Sequence, residues 1–391
     1  MYRIVIASDS FKGSLSSMEV AKAAARGINA VLPGSHVTCL DIADGGEGTF
    51  RTLTRHFDGQ TVTVTASDPL GRKITAEYGI ATIGGRQTAI IEMAQASGLT
   101  LLTTRERNPL LTSTFGTGEM IFDAAGRGCR RFIIGIGGSA TNDGGTGMLE
   151  ALGFIFTDKD GKRMHGLCGK SMKDISGIDT SMVPQSIADS EFIVACDVDT
   201  PFCGPEGAAA VFGPQKGATH EMVAELEYGM QNLNAVIRQK YGIDLSSIPG
   251  SGAAGGLGGA FKACLGARLE RGKDLVLDSI GFDGIIKGAD LVITGEGRLD
   301  GQTKQGKVIS GIVARAKAVG VPVIAVAGIV DMEDKEIRES GLTAAYPVGP
   351  RPETESDLEY AMRSEVASEN IADTVAKALE SLSPSLFRGN L

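Results

Sequence analysis

Arg3-Ile-Val-Ile-Ala7 runs straight into Ser8-Asp-Ser-Phe-Lys-Gly13, a short apolar strand ending in a polar turn. A capping-box pattern, Ser16-x-x-Glu19, follows, and then Val20, Ala23, Ala24, Ile28 and Val31 recur at helical spacing. Val37–Ile42 reads as a second strand, closed by Ala43-Asp-Gly-Gly-Glu-Gly-Thr49. Strand, helix and strand with polar turns after both strands form the opening half of a doubly wound α/β fold. In such a sheet, ligands bind beyond the carboxyl ends of the strands.

The same rhythm returns near the other end. Asp290–Thr294 is apolar and leads to Gly295-Glu-Gly-Arg-Leu-Asp300, read as a turn. A helix with Val308, Ile309, Ile312, Val313 and Ala316 on one face follows, then the strand Val321–Ala327 and a short strand at Ala344–Val348. A last long helix within Ser356–Leu382 is expected to bury Leu358, Met362, Ile371, Val375 and Leu379. Between the two ends the pattern changes. Thr61-Val-Thr-Val-Thr65 alternates with period two, Asp68-Pro-Leu-Gly71 is a turn signal, and Lys73–Ile80 and Thr88–Met93 supply further strands. The expectation is a discontinuous Rossmann/flavodoxin-like parallel-sheet domain over 1–60 and 285–391. A mixed α/β domain is inserted over 61–284, and the site is expected in the cleft between the domains.

Inside the inserted region, Arg131–Ile136 leads into Gly135-Ile-Gly-Gly-Ser-Ala-Thr-Asn-Asp-Gly-Gly145, and Phe192–Cys196 leads to Asp197-Val-Asp199. The Met222, Leu226, Met230, Leu233 and Ile237 stripe is a core-facing helix. Ser251-Gly-Ala-Ala-Gly-Gly-Leu-Gly-Gly259 reads either as a hinge or as a loop presenting backbone to a ligand.

Composition bounds the function. The 391 residues exceed the size at which a single core stops growing, so two domains are expected. Glycine numbers 54, about twice the usual share of roughly 7%, and without a collagen period the excess belongs in turns. The net charge of −9 with no basic stripe disfavours nucleic acid. The six cysteines and four histidines are scattered, which disfavours a zinc site or disulfide framework. No apolar run approaches the roughly 20 residues a membrane span needs, and the N-terminus has no signal-peptide layout. The chain reads as cytoplasmic, and a homo-oligomer is compatible with it.

Several motifs fit two chemistries. Gly135-x-Gly137-x-x-Ala140 after a strand, with Asp158 further on, matches a dinucleotide fingerprint, although Thr157-Asp-Lys-Asp-Gly161 also reads as a hairpin turn. Gly301-Gln-Thr-Lys-Gln-Gly306-Lys307 resembles a P-loop but ends in Val308 where Ser or Thr should hold Mg²⁺. A nicotinamide-dependent oxidoreductase and a catalytically silent sugar-acid sensor therefore stand beside a phosphate-handling enzyme. Recurrence of acids just past apolar runs favours the last.

Seven stretches together resemble the type I glycerate kinases of bacteria, in order and over essentially the whole chain. They are Ile6–Leu15, Ala43–Thr49, Gly135–Gly145, Asp197-Val-Asp-Thr-Pro-Phe-Cys-Gly204, Phe212-Gly-Pro-Gln-Lys-Gly-Ala218, Gly252-Ala-Ala-Gly-Gly-Leu-Gly258 and Thr294–Thr303. The resemblance implies ATP-dependent phosphorylation of D-glycerate with Mg²⁺, in the branch that makes 2-phosphoglycerate during breakdown of glyoxylate or sugar acids.

A mechanism consistent with it follows from residue chemistry. The N–H groups of Gly137, Gly138 and Ser139, with Thr141, Gly255, Gly256 and Lys307, are expected to cradle ATP. Asp197, Asp199, Glu296 and Asp300 are candidate Mg²⁺ ligands. Lys12 and Arg298 offset phosphate or carboxylate charge, with Ser10 beside the substrate. Either Asp44 or Asp143 accepts or orients the substrate hydroxyl proton, and Asp197 joins these as catalytic.

Overall fold

The computed structural model describes residues 1–11, 13–43, 48–300 and 308–382. Among the described residues, thirteen strands run in chain order: β1 Arg3–Ser8, β2 His36–Asp41, β3 Gln60–Ser67, β4 Lys73–Ile83, β5 Arg86–Glu92, β6 Arg131–Gly135, β7 Ile155–Thr157, β8 Gly177–Asp179, β9 Glu191–Ala195, β10 Arg268–Glu270, β11 Leu291–Leu299, β12 Val323–Val330 and β13 Ala344–Pro347. The chain divides into two compact units, Met1–Asp44 with Lys273–Leu391, and Gly45–Gly272. Both divisions come earlier in the chain than the sequence reading placed them. Helix Thr49–His56 packs on β4 and β5 and so belongs with the inserted unit. Leu277 lies against Gly311 and Lys273 donates to Ser310 at 2.9 Å, so this segment belongs with the outer unit.

The outer unit is a five-stranded sheet in the order β13-β12-β11-β1-β2, parallel throughout. Renumbered within the unit this is the flavodoxin order, and its topological switch lies between β1 and β11. Ile4, Ile6, Leu291, Ile293, Ile324 and Val326 are buried in the sheet, with Val20, Ala24, Ile28, Ile371 and Val375 packed against them. Helix Ser17–Val31 starts as the sequence predicts: Glu19 accepts from Ser16 N at 2.8 Å and Ser16 Oγ accepts from Glu19 N. Gly27 is required by close packing, since a Cβ there would meet Ala372 O at 2.2 Å.

Two expectations for this unit change. β11 continues through Gly295-Glu-Gly-Arg to Leu299, because β12 supplies ladder partners as far as Leu299↔Val330. The 295–300 stretch is therefore mostly strand, and only Asp300 lies beyond it. The C-terminal helix is split into Glu355–Ala361 and Ser364–Ser381. The first segment has its own capping box at Thr354 and buries nothing, leaving Leu358 40% exposed.

The inserted unit holds a six-stranded sheet, β10-β9-β6-β5-β4-β3. β5, β6, β9 and β10 are parallel, while β3, β4 and β5 form antiparallel hairpins. The Asp68-Pro-Leu-Gly71 signal is the β3–β4 turn, with Asp68 N donating to Arg72 O at 2.7 Å. Helix His220–Tyr241 buries Leu226, Met230, Leu233 and Ile237 in the core, as its stripe predicts. Among the described residues no helix is long and apolar enough to cross a membrane.

Candidate active site

In the outer unit, one hydroxyl ties the carboxyl ends of β1 and β2 together. Ser17 Oγ donates to Ser8 O at 2.7 Å and accepts from Ile42 N at 2.7 Å. Asp9 N donates to Gly295 O at 3.0 Å, so the chain leaving β1 lies against β11 at the switch point. A Cβ on Gly295 would meet Val326 O at 2.5 Å and Ser8 Oγ at 2.9 Å, which explains the glycine. Ser10 follows, its N–H held by Asp9 Oδ1 at 2.7 Å. Glu296 sits immediately past Gly295 and is buried. Ser10 and Glu296 thus each follow directly on the residues that pair at the switch point.

Arg298 lies further along β11 and is engaged. Its guanidinium reaches Asp331 at 2.6 Å and Asp300 at 3.6 Å, and it is about half exposed. A substrate carboxylate at Arg298 would have to compete with those two acids. Lys12, Asp44 and Lys307, named from the sequence, lie outside the described residues, as does the P-loop-like stretch 301–307.

In the inserted unit the turn after β6 has two contrasting halves. Gly137 and Gly138 are exposed and Ser139 is half-buried. Gly138 has φ +71, a left-handed backbone, and among the described residues the N–H groups of Gly137, Gly138 and Ser139 meet no protein acceptor. Successive free N–H groups around a left-handed residue make an anion-binding concavity. From Ala140 onward the turn is buried. Thr141, Asn142 and Asp143 have no exposed surface.

Asp143 is saturated. One carboxylate oxygen accepts from Thr114 N and Thr114 Oγ1, both at 2.8 Å, and from Gly147 N at 3.2 Å; the other accepts from Gly145 N at 3.0 Å. Burial pushes this carboxyl above the usual carboxylate range, and the four donors oppose that push. Thr114 Oγ1 also accepts from Met148 N at 2.9 Å, so Asp143 and Thr114 together close the start of helix Thr146–Ala151. Asp143, expected as one of two candidates to accept or orient the substrate hydroxyl proton, is thus held by the turn and helix start that it closes.

The Ser251–Gly259 run is buried throughout, so it is neither a hinge nor a loop open to ligand. Its glycines allow contact. Gly144 N donates to Gly255 O at 2.9 Å, and a Cβ on Gly255 would lie 2.1 Å from Thr141 O. Gly256, with φ +94, would strike Phe202 and Gly144. Gly255 and Gly256, expected among the residues that cradle ATP, support the turn from behind. Ala254 adopts φ +53, a left-handed conformation costly for a residue with a Cβ, held by this packing.

Asp197 and Asp199 are exposed past β9. Asp197 accepts from Gly272 N at 2.9 Å, and Asp199 pairs with Arg271 at 2.6 Å. The four metal candidates therefore divide, Asp197 and Asp199 in the inserted unit, Glu296 and Asp300 in the outer one. Among the described residues no group of three or more His, Cys, Asp or Glu side chains is arranged to hold a metal.

The dinucleotide fingerprint is not realised. A helix begins only at Thr146, and Asp158 Oδ1 accepts from Asp160 N and Lys162 N within a β-turn.

Two residues escaped the sequence reading. Glu92, buried at the carboxyl end of β5, accepts from Phe50 N at 3.0 Å and holds the start of helix Thr49–His56. It obeys the acid-after-apolar-run rule but sits inside its strand, where it passes for an edge charge. Lys216 is 1% exposed and donates to Thr141 O at 2.7 Å. Its only sequence signal is its place in Phe212-Gly-Pro-Gln-Lys-Gly.

Parallel strands that run into glycine turns and acids at their carboxyl ends place the chain in the α/β class, in which ligands bind beyond those ends. Comparison with known proteins specifies it further. The model of the Glycerate kinase family matches residues 4–383. A glycerate kinase of Halalkalibacterium halodurans is 45% identical over 90% of this chain and 92% of its own. A glycerate 2-kinase of Escherichia coli K12 is 41% identical over 96% of this chain and 98% of its own. A crystal structure from Salmonella typhimurium LT2, assigned as a glycerate kinase 2, superposes with a TM-score of 0.84 at 41% identity, covering 97% of this chain and all of that one. The chain belongs to the glycerate kinase family and is an enzyme, a kinase of that family.

Proposed function

We propose that the enzyme transfers the γ-phosphoryl group of ATP to the 2-hydroxyl of D-glycerate, giving ADP and 2-phosphoglycerate, in the breakdown of glyoxylate or sugar acids. The observation that carries the reading is the exposed Gly137–Ser139 turn, whose three N–H groups are free at the carboxyl end of a parallel strand. The glycerate 2-kinase among the relatives supports the choice of hydroxyl.

Phosphoryl transfer needs positioning and charge neutralisation more than covalent help from the protein. In this reading Gly137, Gly138 and Ser139 donate to nucleotide phosphate oxygens. Ser10, Lys12 and Arg298 receive glycerate, and Lys307 offsets phosphate charge. The glycerate oxygen bonds to the γ-phosphorus as the bond to the bridging oxygen of ADP breaks. The hydroxyl proton leaves to a carboxylate. Asp143 is consumed by its four donors, which leaves Asp44 as the base this reading favours.

Mg²⁺ takes one or two carboxylates and completes its shell with phosphate oxygens and water. The exposed pair Asp197 and Asp199 fits that donor set, as does Glu296 with Asp300, so a larger acid cluster is not required. When bound, the ion neutralises phosphate charge. Arg271, held by Asp199, sets how freely that pair is available.

ADP release from ATP, followed with D-glycerate present and omitted, and with Mg²⁺ present and chelated, tests the proposal. ADP formation that needs both supports it. Equal release without D-glycerate overturns it.

A further inference from the structure

The reaction reading leaves one buried charge unused. Lys216 sits at the end of the short helix Pro214–Lys216, followed by Gly217 in a left-handed conformation. Its ammonium is 1% exposed, yet the bond to Thr141 O at 2.7 Å is its one hydrogen bond to protein among the described residues. It lies 5.9 Å from the centroid of the Phe212 ring. An ammonium has three donors, so this group is under-used for one so thoroughly removed from water. Isolating a charge from solvent is costly, and a lysine kept this way without a full set of partners calls for a reason.

Its surroundings supply one. Thr141 O is also the atom against which Gly255 packs, so the segments 141–145, 213–217 and 252–256 meet at one carbonyl. Beside it, Thr141 Oγ1 and Asn142 Oδ1 are buried without a hydrogen-bond partner. Asp143 is near enough to act on Lys216 electrostatically, but its oxygens are filled by Thr114, Gly145 and Gly147. The backbone of Arg107 flanks Gly217 on the other side. The acceptor that Lys216 holds lies two residues beyond Ser139, at the root of the turn with free N–H groups.

We propose that Lys216 is a positioning residue for nucleotide phosphate. It fixes the Thr141 carbonyl and so the path of the Gly137–Ser139 turn, and its buried positive charge favours an anion on that turn. The inference rests on the ATP-dependent reading of the same turn. Charge near a dry, preorganised donor set acts more strongly than on the surface, so its loss should appear in nucleotide affinity. Burial pulls the Lys216 pKa down to about 7, with Asp143 opposing, which keeps the charge responsive to a bound anion.

The test compares wild type with Lys216→Met, which keeps the apolar stem, and Lys216→Gln, which keeps a donor for Thr141 O without charge. Steady-state kinetics in ATP and in D-glycerate would be read beside thermal unfolding. The expected result for Lys216→Met is a KM for ATP raised about tenfold or more, a KM for D-glycerate within about twofold, and a Tm within a few degrees of wild type, since an apolar isostere of a buried charge is often tolerated. Lys216→Gln should fall between the two. Unchanged ATP kinetics in Lys216→Met, with or without a drop in Tm, would overturn the positioning role and leave the kinase reading standing. Failure of both variants to fold would assign Lys216 to the fold and also overturn it. A folded wild type that releases no ADP would instead remove the kinase reading and this inference with it.

Discussion

The turn after β6 and the end of β11 look alike in sequence, each a glycine-rich run carrying acids after an apolar strand, yet the two units use them oppositely. Behind its exposed tip, the β6 turn is buried, and its acid Asp143 is fully enclosed by backbone and hydroxyl donors. The β11 stretch stays in the sheet, and Arg298 pairs with Asp300 and with Asp331 at its partly exposed end. An acid that closes a buried turn maintains shape, whereas Asp300 at the end of β11 takes part in a surface ion pair. The same division runs through the glycines. Gly144, Gly145, Gly255 and Gly256 are there because no Cβ fits, while Gly137 and Gly138 leave backbone donors bare.

Asp143→Ala should break the comparison hardest. It strands donors from Thr114, Gly145 and Gly147 in the core, and should cost roughly 3–5 kcal/mol of stability in urea unfolding. A loss below about 1 kcal/mol would return Asp143 to the catalytic candidates. Asp197→Asn is the converse case. As an exposed acid it should leave unfolding within about 0.5 kcal/mol of wild type and reduce kcat by roughly a hundredfold or more. Near-normal turnover would remove Asp197 from the site.

Much of this division was hidden in the sequence for definable reasons. Local signals were legible: the Ser16–Glu19 capping box, the Asp68–Gly71 hairpin and the Leu226–Ile237 stripe each depend on residues close in the chain. The parallel order of the outer sheet was also implied by the β-α-β rhythm at both ends. What sequence alone could not resolve was burial. Gly252–Gly259 has the composition of a hinge, and only its contacts with Thr141, Phe202 and Pro201 show it to be core. Lys216 reads as a surface charge until it is found beneath Thr141. The length of β11 was misjudged because Gly295-Glu-Gly is poor strand sequence, and β12 supplies the ladder that overrides it.

Two smaller effects sharpen the contrast. Gly255→Ala should cost about 2–4 kcal/mol, combining left-handed strain with a Cβ 2.1 Å from Thr141 O. Gly138→Ala meets only Ala94 Cβ at 3.5 Å and should cost about 1–2 kcal/mol from backbone strain alone. Equal costs in thermal unfolding would erase the distinction between tip and base of the turn. A pH dependence is expected as well. With Lys216 near 7 folded and ~10.4 unfolded, the unfolded chain binds the extra proton between those values. Stability relative to Lys216→Met should therefore rise from about pH 7 toward pH 10 and flatten below about pH 7. A difference that stays constant with pH would mean that Lys216 is not held in the environment described.

The most direct test of the whole account is ³¹P NMR of the reaction of Mg-ATP with D-glycerate, read alongside ADP release. The account predicts ADP and 2-phosphoglycerate appearing in equal amounts, with no 3-phosphoglycerate. Formation of 3-phosphoglycerate would contradict the choice of hydroxyl, and no glycerate-dependent phosphoester from folded enzyme would contradict the kinase reading itself.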